Sequence, residues 1–363
     1  MSQDGILHLG AGQMHGVYQH DDYLLFPFDT PEDETKLTDS NQRGPWPVKV
    51  KVETVQSLDS NLIASEKDYT LVSQEIRFGL KAKPITFLSP LKIPIHLGAS
   101  VRQYIHKTIP DQLPFLCFQD ESEGSVACIY HVNLNRQQQF EISDSLQRPI
   151  ANLPVISVKS PGASNRIMRV LQHIALYKYY EGVENRTVDL HFEKTFRISK
   201  LDDNIPMPSG EYRVQHNSTW GFTIENLGDK PLYIALFNFT PEWKISNLFS
   251  DKSGSPFCVI QPMGQDNANK EEFGLEMEIP ESLQKQGNKN CEDIIKVFFT
   301  RRPTHFPTLK LPGISLDEQD TFRGSASLWS NFLEELNGPF RNSDPATSQQ
   351  WSTRQYIIQT TME

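Results

Sequence analysis

The chain has 363 residues, of which 37% are hydrophobic and 22% charged, and its formal net charge is -10. A mean hydropathy of -0.47 and a pI near 5.5 fit a globular chain of more than one domain. Such a charge repels a nucleic-acid backbone or an anionic membrane surface, so neither is expected as a partner. The first six residues, Met1-Ser-Gln-Asp-Gly-Ile, carry no cationic or apolar leader, and no window holds an uninterrupted apolar span. Cytoplasmic residence is the expectation.

Leu7 and Leu9 alternate with Ile6 and His8 ahead of a glycine-rich turn, and the apolar run 23–28 follows, which reads as strand, turn, strand. Residues 30–47 are acidic and then rich in Asn, Gly and Pro, as a long loop would be. Val48, Val50 and Val52 alternate with Lys49 and Lys51, the pattern of a half-buried strand. Short strands are predicted at 69–73, 85–88, 93–97, 115–118, 125–133 and 140–142, each bounded by Pro, Gly or acidic turns, and a small barrel closes such strands economically. From Ser164, the residues Ile167, Val170, Leu171, Ile174 and Tyr177 follow helical spacing up to Gly182. Strands then return at 188–192, 212–214, 219–226, 232–239 and 294–299. In the run 232–239 both alternating sets are apolar, which places that strand centrally in an antiparallel sandwich of about seven strands. Residues 328–336 read as a short helix and 351–360 as a late strand or docked tail.

The expected fold class is mainly β. Its parts are a small barrel-like region over 1–160, a bridging amphipathic helix over 161–184, an antiparallel β-sandwich over 185–316, and a short helix with a docked tail over 317–363.

No catalytic motif emerges. A caspase-type loop around a nucleophilic cysteine is absent, and Cys117, Cys128 and Cys258 lie in apolar runs where burial makes a thiol inert; reduced, mostly buried thiols are expected at all four positions, Cys291 included. Cys128 and His131 are three apart on a predicted strand and fall on opposite faces. His8, His15 and His20 crowd the N-terminus beside Asp21 and Asp22, and read as scattered surface histidines in preference to a metal site. Gly10 and Gly12 lack a third glycine and a βαβ setting, so no dinucleotide site is read there; no cofactor, metal or catalytic residue is assigned. Aromatic residues are the better lead, and Trp220, Tyr233, Phe237 and Trp243 are candidate partner-binding anchors, with core packing the competing use.

Several segments carry a family resemblance. The runs 170–186, 231–249, 279–287 and 291–305, with the turn 10–17, are similar to the β-rich region that follows the peptidase domain in fungal caspase-like proteins. The resemblance spans nearly the whole chain, but the peptidase domain itself is missing from these residues. His15-Gly16 resembles the His-Gly pair of that domain without a cysteine at the accompanying spacing. The resemblance implies a non-catalytic accessory or interaction module whose partner is a caspase-like protein. The alternative is a fragment of a caspase-related cysteine peptidase whose catalytic domain lies elsewhere.

Overall fold

The computed structural model describes residues 7–15, 17–30, 46–75, 79–85, 92–105, 116–119, 128–185, 189–201, 205–253, 255–264, 269–304, 309–314 and 350–362. The protein is mainly β and divides into two compact units, 1–180 with 314–340 and 181–313 with 341–363. The predicted helix at 328–336 lies outside the described residues, as do 86–88 and 125–127 from two predicted strands. Among the described residues, no helix is long and apolar enough to cross a membrane.

Among the described residues the first unit holds two five-stranded sheets. One comprises β1 (Leu7–Leu9), β2 (Asp22–Pro27), β3 (Val48–Val55), β4 (Ser60–Ala64) and β5 (Leu80–Pro84), in the order β1-β4-β3-β2-β5 with every pair antiparallel. Val48, Val50 and Val52 enter its core with Leu7, Leu9, Tyr23 and Leu25, while Lys49 and Lys51 face solvent. The sheet is half-barrel-like, since no pairing among the described residues joins β1 to β5. Residues 69–73, predicted as a strand, instead belong to helix α1 (Glu66–Glu75). The Ser65 hydroxyl accepts from the Asp68 amide at 3.3 Å and donates to the Asp68 carboxylate at 2.6 Å, so a cap of the serine-x-x-acid type outweighs the β propensity of Tyr69, Thr70 and Val72.

The second sheet comprises β6 (Ile93–Leu97), β7 (Leu116–Gln119), β8 (Tyr130–Leu134), β9 (Gln139–Asp144) and β10 (Ile156–Ser157), in the order β10-β9-β8-β6-β7. Strand β6 runs parallel to both β7 and β8, and helix α2 (Ala99–Ile105) follows it in the chain, as a parallel connection requires. Helix α3 (Ala163–Glu181) buries Ile167, Val170, Leu171, Ile174 and Tyr177 at the predicted spacing and stops one residue before Gly182.

The second unit is a sandwich. Its elements are α4 (Leu190–Glu193), β11 (Phe196–Lys200), β12 (Gly210–Gln215), β13 (Ser218–Asn226), β14 (Leu232–Phe239), β15 (Ile245–Asn247), α5 (Leu248–Ser253), β16 (Cys258–Ile260), β17 (Lys270–Met277), α6 (Glu281–Lys285), β18 (Asn290–Thr300) and β19 (Trp351–Thr361). One sheet is β11-β13-β17; the other is β12-β19-β18-β14-β15, with β16 also paired to β14. Phe222 and Ile224 of the first sheet share one core with Ile234, Leu236, Ile295, Val297, Phe299, Tyr356 and Ile358 of the second.

Two expectations need correcting in this unit. Residues 190–192, predicted as strand, form α4, because Asp189 caps it by accepting from the amides of His191 at 2.9 Å and Phe192 at 3.1 Å. The larger sheet is mixed, since β12 pairs β19 in parallel. Of the two readings for 351–360, the late strand is the one found: β19 lies between β12 and β18 and pairs β18 along its whole length.

Candidate functional site

The four candidate aromatics separate into two classes. Trp220 sits in the sandwich core, edge-on to Phe222 at 5.4 Å and beside Tyr356 at 5.5 Å. Phe237 is fully buried on the opposite face of the larger sheet, edge-on to Phe298 at 5.7 Å. Both are packing residues and cannot reach a partner, which corrects the sequence reading. Phe237 lies on a strand apolar on both sides, and Trp220 on the apolar side of an alternating strand; either pattern supplies the same letters as an aromatic binding face.

Tyr233 and Trp243 are only partly buried. Tyr233 packs edge-on against Phe257 at 5.5 Å and stands opposite the exposed Val259 of β16. Trp243 belongs to the hairpin loop between β14 and β15, where the Thr240 amide donates to the Lys244 carbonyl at 2.9 Å and the Trp243 amide to the Thr240 carbonyl at 3.0 Å. Its φ of 63° is left-handed, a region that costs a bulky L residue about 1–2 kcal/mol and usually goes to glycine. Beside it, the Glu242 carboxylate accepts from the Ser282 hydroxyl of α6. Tyr233 and Trp243 flank opposite ends of β14, roughly 20 Å apart along the strand, so the fold does not assemble the four aromatics into one patch.

All four cysteines are free thiols. Cys117 is exposed and the others are partly buried, so the expectation of mostly buried thiols is corrected in degree. Burial pushes the Cys258 thiol up to about 11 and the Cys291 thiol up to about 12, the latter helped by the Asp293 charge. Burial also raises the Cys128 thiol. Each of these three is a poor nucleophile at neutral pH.

Two ionisable groups are buried in the larger sheet of the sandwich, on opposite faces of β18. Asp293 follows the parity of Ile295, Val297 and Phe299 toward the inter-sheet core. There it lies 3.9 Å from the Cys291 thiol and bonds the Asn238 side chain, and burial raises its carboxyl to about 6. Lys296 lies on the other face at 1% exposure, donating to the Glu181 carbonyl and standing 5.8 Å over the Phe298 ring. Burial lowers its amine to about 7 against the opposing pull of Glu181 and Glu184.

The histidines are arranged differently from the expectation. His15 is buried, and its Nδ1 accepts from the Gly12 amide at 3.1 Å, so it fastens a turn; His8 and His20 are exposed. Cys128 precedes β8 and donates to the Gln119 side chain at 3.2 Å, so the proposed alternation of Cys128 and His131 along one strand does not apply. The pair that does form is His96 with His131, direct neighbours on β6 and β8 with ring centroids 5.4 Å apart. In each strand the flanking residues, Ile95 and Leu97 or Tyr130 and Val132, point to the core, which aims both histidines at the outer face. Alternation alone could have flagged both; the β6–β8 adjacency is a long-range pairing that it does not encode. No group of three His, Cys, Asp or Glu side chains able to hold a metal ion occurs among the described residues.

No protein-family model matches the chain, and no curated protein matches it.

Proposed function

We propose that the chain is a non-catalytic protein-binding module that works beside a caspase-like peptidase, with the β14–β15 hairpin tip as its contact surface. The observation that carries this reading is Trp243: a large, partly exposed aromatic held at φ 63° where glycine would be strain-free. Strain of this kind is retained where a side chain has work to do, and tryptophan is among the residues that most often dominate binding energy. The raised thiols of Cys128, Cys258 and Cys291 disfavour a nucleophilic role for those residues. The choice of partner rests on the sequence resemblance of the segments named above.

The test is co-elution of the purified chain with a purified fungal caspase-like peptidase. A complex that is lost in Trp243→Gly, with no peptide cleavage by the chain alone, supports the proposal. No complex with the peptidase, or cleavage by the chain alone that disappears with one of its cysteines, sinks it.

A further inference from the structure

The outer face of β6 and β8 carries the one pair of neighbouring imidazoles recorded among the described residues. The register continues the row sideways: His96 stands opposite Gln119 on β7 as well as His131 on β8, and His131 stands opposite Ser143 on β9. Both histidines are partly exposed. Their rings are tilted by 56°, not stacked, so the nitrogens need not point in parallel past one another.

That geometry has a chemical match. A metal–imidazole bond of about 2.0–2.1 Å puts the ring centroid about 3.2 Å from the ion, so two rings at the tetrahedral angle lie about 5.2 Å apart. The observed centroid separation is 5.4 Å. We propose that His96 and His131 together bind a borderline divalent cation, zinc(II) or its near relatives, with water completing the coordination.

The chemistry of the row favours this ligand over an anion. Imidazole binds a metal in its neutral form, and two neighbouring imidazolium charges would repel each other, so the pair suits a shared cation better than an anion that needs both rings protonated. The Asp144 carboxylate at the end of β9 is occupied by Arg148 and by the Leu146 and Arg148 amides. Imidazole donors select zinc, copper or nickel over magnesium or calcium. The site lies in the first unit and does not depend on the hairpin of the proposed partner surface.

Calorimetric titration of the full chain with zinc(II) at pH 7.5 tests the proposal. One ion per chain is expected, with affinity falling at least about ten-fold in His96→Gln and in His131→Gln and staying unchanged in the control His20→Gln. Lowering the pH to 5.5 should weaken binding at least about ten-fold, because protons compete with a metal for its ligands. Ring acylation by diethylpyrocarbonate, mapped by mass spectrometry on the unaltered chain, gives a readout that needs no variant: zinc should protect His96 and His131 together. Absence of zinc binding, or binding that leaves both rings as reactive as before, overturns the site.

Discussion

Strands β14 and β18 of the sandwich are covered on both faces, whereas β6 and β8 of the first unit are covered on one. In β18 the eight residues from Asp293 to Thr300 are all buried, including an aspartate and a lysine. In β8 the pattern is alternating, and His131 is left on a partly exposed face beside His96. The difference decides what a polar side chain can do. Between two covered faces, ionisable groups are held away from their ordinary pKa by burial; on a half-covered sheet they keep access to water and to ions.

The sharpest way to break this comparison is to truncate one aromatic on each face of the sandwich sheet. Phe299→Ala on the inner face and Phe298→Ala on the outer face should each cost about 3–5 kcal/mol in denaturant unfolding, because both rings are fully buried. A loss below about 1 kcal/mol for Phe298→Ala would mean that the outer face is not covered as described.

The buried lysine gives the next largest effect, and its sign is fixed by its lowered pKa. A depressed lysine contributes stability that is present above the unfolded value of 10.5 and lost as the pH falls through about 7. Replacing Lys296 with Met removes that acid-side loss, so the variant should gain on the parent protein by roughly a few kcal/mol on going from pH 10 to pH 6. The lost bond to the Glu181 carbonyl offsets this at every pH by about 1 kcal/mol, which is why the slope is the quantity to measure.

Asp293 sharpens the comparison in the opposite sense. Its carboxyl is raised from 3.8 to about 6, so its contribution is complete below 3.8 and lost as the pH rises through about 6. Asp293→Asn should therefore be more favourable relative to the parent at pH 7.5 than at pH 4, by about 2–3 kcal/mol, read from unfolding midpoints at the two pH values. Tyr233→Ala, at the partly exposed end of β14, should change stability by less than about 1 kcal/mol.

Local pattern carried the elements that the chain defines for itself. Val48, Val50 and Val52 declare a one-sided strand, the spacing from Ile167 to Tyr177 declares α3, and the doubly apolar run of β14 declares a central strand. Two short helices were read as the strands 69–73 and 188–192 because their residues have β propensity, while the caps that start them, Ser65 with Asp68 for α1 and Asp189 for α4, went unread. Long-range pairing lay beyond local pattern altogether. Nothing near residue 351 announces that β19 will insert between β12 and β18, and nothing near His96 announces His131 as its neighbour. The aromatic composition named four candidate anchors without separating them: Trp220 and Phe237 are buried, which depends on which strands cover them, while Tyr233 and Trp243 are partly exposed and stay candidates.

The most direct test of the proposed function is a paired measurement on Trp243→Gly. Thermal unfolding should show stability unchanged or raised by about 1 kcal/mol, since glycine relieves the left-handed backbone, while binding to the caspase-like peptidase should fall at least about ten-fold. Binding as tight as that of the parent chain, with the fold intact, would contradict the assignment of the hairpin tip as the contact surface.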